Sequence, residues 1–187
     1  MKGEVTIIPN VSFYEKCTEQ SVMELIDLLQ AYFQTSSKWR IEEVKVSEII
    51  PLCKHVYTER LNYAKASISD CILYGIPLFY PYFVHYNTGK IHLVAPPIVE
   101  KRDQSLYLGD GMHRIYSMIE LNIDKVHVLV TEECVLPLPG KPQMWKNVKQ
   151  NLHQLPFQMN FENFVESGFT GYSKFCNSAI FWKNSEE

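Results

Sequence analysis

Residues 106–121 read LYLGDGMHRIYSMIEL, and this stretch limits the fold more than any other. A short apolar run ends in Gly109-Asp-Gly111, and a helical pattern begins directly behind it. Strand, glycine turn and helix in that order predict an α/β arrangement. The glycines permit tight backbone geometry and the close approach of a ligand. The open N–H groups of the next helix, together with its dipole, favour an anion at the turn. Arg114 can grip phosphate oxygens with a two-pronged fork, and His113 adds a donor. Asp110 cannot favour a bare phosphate by charge. It fits if a magnesium ion bridges it to phosphates, or if it takes a proton from an attacking hydroxyl. Donors plus one acid suit phosphoryl transfer better than passive anion capture. The competing reading is an ordinary link between strand and helix, capped by Asp110, with two surface basic residues. The pattern is neither GxGxxG nor a Walker A loop.

Elsewhere the spacing predicts a helix over residues 18–34, with Ser21 and Glu24 as a capping box and Val22, Leu25, Ile26, Leu29, Tyr32 and Phe33 at helical intervals. Residues 34–38 read as a loop. Ile41, Val44, Val46 and Ile49 suggest a strand entering a turn at Pro51. Residues 58–75 read as a helix with Leu61, Ala64, Ile68 and Cys71 in one stripe and Gly75 as its stop. Hairpins follow over 81–94, turning at Asn87-Thr-Gly89, and over 97–108, turning at 101–104. Residues 125–130 alternate like a strand that turns His127 to solvent. His85 and His92 fall across the first hairpin as neighbours, without a third metal ligand. The aromatic run at 78–86 reads as core or as a partner surface. After 137–142 the chain becomes a polar, aromatic-rich tail of low regularity. The organisation expected is an N-terminal helical extension (1–38), an α/β domain (39–136) and a C-terminal extension packed on it (137–187).

Composition narrows the function. A net charge of −3 and a pI near 6.1 argue against a dedicated nucleic-acid binder. Five cysteines, an odd number and never spaced C-x-x-C, support neither structural zinc nor a disulfide framework. The opening MKGEVTIIPNVSFYEK has no long apolar region, and no window approaches a membrane span. The expectation is a cytoplasmic protein without a membrane partner.

Pro97-Ile-Val-Glu100, a short hairpin, Tyr107-Leu-Gly-Asp-Gly-Met-His-Arg114, an apolar helix and Val126-His-Val-Leu-Val130 resemble the ParB/sulfiredoxin superfamily. The resemblance spans residues 41–131 and is strongest over 96–130. Val44 to Ile49 looks like that family's opening strand, and Ala66-Ser-Ile68 with Gly75 is similar to its first helix. The resemblance implies a small mixed sheet with flanking helices and a bound nucleotide. Gly111, His113 and Arg114, with Gly109 beside them, would seat the phosphates; Asp110 would meet the metal or the attacking hydroxyl. Met112 stands where sulfiredoxins carry their reactive cysteine, which argues against sulfinic-acid repair. ParB proteins use an Arg-Arg motif and a following helix-turn-helix, and this tail shows no such module. The motif is most similar to the free serine kinases, whose glutamate before the first helix maps onto Glu59, with His55 nearby. The resemblance therefore implies phosphoryl transfer from ATP or ADP, assisted by Mg2+, to a small hydroxyl compound such as an amino acid. The alternatives are a nucleotide-dependent regulator or DNA-associated protein that transfers nothing, for which CTP is a further candidate, and an interaction module with residues 78–86 as its surface.

Overall fold

The computed structural model describes residues 11–33, 38–133, 138, 140–152 and 180–183. Its elements are β1 (Val11–Lys16), α1 (Glu19–Phe33), β2 (Lys38–Lys45), β3 (Ile49–Pro51), β4 (His55–Tyr57), α2 (Thr58–Leu73), β5 (Tyr82–Tyr86), β6 (Ile91–Val94), β7 (Ile98–Arg102), β8 (Ser105–Asp110), α3 (Met112–Glu120), β9 (Lys125–Glu132), β10 (Lys149–Asn151) and β11 (Ile180–Lys183). The fold is α+β. A five-stranded mixed sheet has the order β2-β9-β7-β8-β3, with β7 parallel to β9 and antiparallel to β8. A four-stranded antiparallel sheet has the order β1-β5-β6-β11, and β10 pairs in parallel with β4.

The five-stranded sheet is covered on both faces at its centre, which is why Ile98-Val99 of β7 and Val128-Leu-Val130 of β9 are consecutive buried apolar residues. Val99, Val126, Val128 and Val130 share one core with Ile115 and Met118 of α3 and Ile68 of α2. Ile98 and Leu129 point the other way, into a core with Leu25, Ile26 and Leu29 of α1. Each such side chain contributes about 1.5–3 kcal/mol of apolar burial. The stripe of α2 is as the spacing predicts: Leu61, Ala64, Ile68 and Cys71 are all buried.

Several expectations change. The helix at 19–33 is capped by Thr18, whose hydroxyl accepts the Ser21 amide at 3.2 Å; Ser21 is already inside the helix, so the Ser21–Glu24 box does not form. The strand expected over 41–49 is broken by one 3-10 turn at Val46–Glu48. That turn is held by the Val46 amide on the Asp124 carbonyl (2.7 Å), and it separates β2 and β3, which lie at opposite edges of the sheet. Of the loop expected over 34–38, residues 34–37 lie outside the described residues and Lys38 opens β2. His85 and His92 are not a facing pair, because the register sets His92 against Val84 and His85 against Ile91. His85 binds Glu15 and stacks on Phe13, whereas His92 is buried against Tyr86. His127 is only partly exposed: its Nδ1 is buried without a hydrogen bond, and its ring meets Tyr80 edge-on. Phe79 and Tyr82 are buried, so the 78–86 run is core at those two positions, the first of its two readings. The tail is more regular than expected where it is described, with β10, β11 and a 3-10 turn at Trp145–Asn147. Among the described residues, no helix is long and apolar enough to cross a membrane.

Candidate functional site

β8 delivers the chain to the turn through a bulge. Asp110 is paired with Ile98 and Leu108 with Val99, so Gly109 is the extra residue between them. A bulge there re-aims the end of the strand. Gly111 then adopts φ +92, and a Cβ on it would lie 2.7 Å from Cβ of Pro97. Both the left-handed backbone and the proline contact demand glycine. α3 starts at the next residue, and no side chain caps it.

A second helix start lies alongside. α2 follows directly from β4, with extended Tyr57 as its N-cap residue and again no side-chain cap. The Tyr57 amide donates to Nε2 of His113 at 3.1 Å, and the two rings are 5.7 Å apart. His113 thus joins the openings of α2 and α3, whose dipoles both favour an anion. Burial, then the nearby cations Arg60 and Arg114, push the His113 ring down to about 4 from its ordinary 6.5. It is neutral at pH 7, with Nε2 accepting and the proton on Nδ1. The donor expected of His113 is therefore Nδ1–H alone.

Arg114 turns inward. One guanidinium nitrogen donates to the Ala95 carbonyl at 2.5 Å, and the other meets Asp110 Oδ2 at 3.1 Å. Their side chains are only 15% and 13% exposed, so water screens this pair weakly. Phe79 lies beneath the guanidinium, 5.5 Å from ring centre to Cζ. Phe79 has φ +55, a strained conformation for a bulky residue, and is almost fully buried. A phosphate that took both prongs of the Arg114 fork would have to displace Asp110 and the Ala95 carbonyl.

Glu59 is exposed in the first turn of α2, two residues beyond Tyr57. An acidic side chain there complements the helix dipole. The turn thus gathers Gly109, Asp110, Gly111, His113 and Arg114, and the His113–Tyr57 bond ties it to the start of α2, whose exposed first turn carries Glu59. Among the described residues, no three His, Cys, Asp or Glu side chains form a metal-ligating group. The sequence assigned no role at this turn to Tyr57, Phe79, Ala95 or Pro97, which act through backbone groups, a ring face and shape. The Pro96-Pro97 pair before the strand and the aromatic run containing Phe79 were the signals the sequence offered.

No protein-family model matches the chain, and no curated protein does. Among solved structures it is similar to protein Atu1540 from Agrobacterium tumefaciens, with a TM-score of 0.33 and 10% identity over 76% of this chain and 91% of that one. A likeness of that size carries no argument about function.

Proposed function

We propose that the protein binds the phosphates of a nucleotide, ATP or ADP, at the adjoining starts of α2 and α3, as a ParB/sulfiredoxin-like protein most similar to the free serine kinases. The reaction is transfer of the terminal phosphoryl group to a small hydroxyl compound. The observation that carries this reading is the His113–Tyr57 bond, which sets two uncapped helix N-termini side by side. Gly111, which leaves no Cβ against Pro97, keeps the backbone approachable. The strained Phe79 under Arg114 is a further mark of a functional site.

In this reading Asp110 takes the proton of the attacking hydroxyl, and Arg114 orients Asp110 while adding positive potential. His113 donates through Nδ1–H to a phosphate oxygen, and Glu59 lies at the rim of the acceptor. Asp110 is one carboxylate, which fits a magnesium ion that arrives with the nucleotide phosphates rather than one caged by protein alone. Such an ion would neutralise phosphate charge.

Binding without transfer is the second reading, and the Asp110–Arg114 pair favours it, because the carboxylate is already engaged. One experiment separates the two. The protein is incubated with ATP, ADP or CTP, magnesium and a pool of small hydroxyl compounds, and thermal shift and phosphate transfer are followed together. Stabilisation with turnover supports the kinase, and stabilisation alone supports the sensor. The absence of both stabilisation and turnover would overturn nucleotide binding.

A further inference from the structure

β2 is the outermost strand of the five-stranded sheet: β9 pairs with it on one side, and no other described strand pairs with it. It is long for an edge, with eight residues in unbroken register against β9 and neither a proline nor a bulge. Short length, proline and bulges are the usual means of blunting an edge. The guard on β2 is charge alone. Arg40 and Glu42 share one face, 2.9 Å apart, with side chains 42% and 45% exposed. Trp39 and Ile41 lie on the other face, half-buried at the margin of the core under α1.

The charges of this strand are ordered. Lys38 and Arg40 come first, and Glu42 and Glu43 follow. An antiparallel copy of the strand would set the basic half against the acidic half. A twofold axis normal to the sheet pairs residues of the same face, so it must pass through a residue. Centred on Lys38, Arg40, Glu42, Glu43 or Lys45, it sets two like charges face to face. Centred on Trp39, it opposes Lys38 to the partner's Arg40. Centred on Val44, it leaves only Glu43 to Lys45 to pair, because the strand gives way to the turn at Val46–Glu48. Centred on Ile41, it opposes Arg40 to the partner's Glu42 and Glu42 to the partner's Arg40, and no like charges are opposed.

We infer that β2 is a contact surface for a second copy of this chain: two β2 strands pair antiparallel about Ile41 and join the two five-stranded sheets into one. Arg40 and Glu42 of both copies then form a square of alternating charge on one face. On the other face the two Ile41 side chains meet beside Trp39. The backbone ladder over residues 38–44 supplies cohesion, and the charges select the register. β9 and β7 stand between β2 and the turn at the end of β8, so this surface is separate from the phosphate site.

The test is analytical ultracentrifugation of the full chain over a range of concentrations, at low salt so that surface charges are least screened. The wild type should dimerise in the micromolar range. Arg40→Glu and Glu42→Arg each turn the opposed pairs into like charges, and each should weaken dimerisation about tenfold. Mixed in equal amounts, the two variants should associate again, because one copy then carries acids at both positions and the other carries bases. No effect confined to a single chain produces that recovery. Circular dichroism shows whether each variant is folded. Amide hydrogen exchange of the wild type needs no variant, and it should slow over residues 38–44 as concentration rises. A chain that stays monomeric, leaving the edge to some other partner's strand, would overturn the inference. So would a dimer that both variants leave intact, a mixture that stays monomeric, or exchange in β2 that ignores concentration.

Discussion

Nε2 of His113 accepts the backbone amide of Tyr57 at 3.1 Å, so the first turn of α3 is tied to the residue that opens α2. The bond needs a neutral imidazole, and burial together with Arg60 and Arg114 keeps the ring neutral down to about pH 4. An unfolded chain takes up that proton near 6.5 and the folded chain does not, so the ring's contribution is lost as pH falls from 6.5 to 4. The slope should be a fraction of the limiting ~1.4 kcal/mol per pH unit, because the ring is partly exposed. Denaturant unfolding of wild type and His113→Gln between pH 7 and 4 should show the two stabilities converging; parallel curves would refute the account.

Gly111→Ala should cost more than the same change at Gly75 or Gly89. All three have positive φ, but only Gly111 has Pro97 in the way, and the other two have open space. Strain alone costs about 1 kcal/mol, and the added clash should bring Gly111→Ala to about 2–3 kcal/mol. Thermal denaturation of the three variants checks the order.

Arg114→Ala should destabilise by about 3 kcal/mol, because it leaves Asp110 poorly solvated and the Ala95 carbonyl without that donor. Arg114→Ala combined with Asp110→Asn should cost less than the sum of the two. Urea unfolding of the cycle measures the coupling, and simple additivity would mean that the pair does not matter.

Cys53 should alkylate rapidly in the folded protein, while Cys17 and Cys71 should wait for unfolding. Cys53 is exposed; burial pushes the Cys17 thiol up to about 12 and raises that of Cys71. Thiolate is the reacting form. Peptide mapping after brief iodoacetamide treatment at pH 8 shows which sites are labelled.

Local pattern was readable wherever it was also the deciding force. The stripe of α2, the hairpin turn at Gly89 and the strand-turn-helix at 105–120 all follow from spacing and glycine. What failed depends on partners far along the chain. Thr18 caps α1 because its hydroxyl reaches Ser21, which a better-looking box at 21–24 obscured. β10 carries no strand signal in Lys149-Gln-Asn151, and it exists because β4 lies beside it. Arg114 looked like a surface hand for phosphate, yet the Ala95 carbonyl and the Phe79 ring, set by the crossing into β7, draw it inward.

Ala95-Pro96-Pro97 joins β6 to β7 and lies against this turn. Two of its three residues have no N–H to give, and the carbonyls of Ala95 and Pro97 are taken up by Arg114 and by the Leu129 amide. The surroundings of Gly111 are therefore lopsided: amide donors stand on the helix side, and none comes from the two prolines. A molecule with one charged end and one apolar end would meet this asymmetry as a direction, and could settle only one way round.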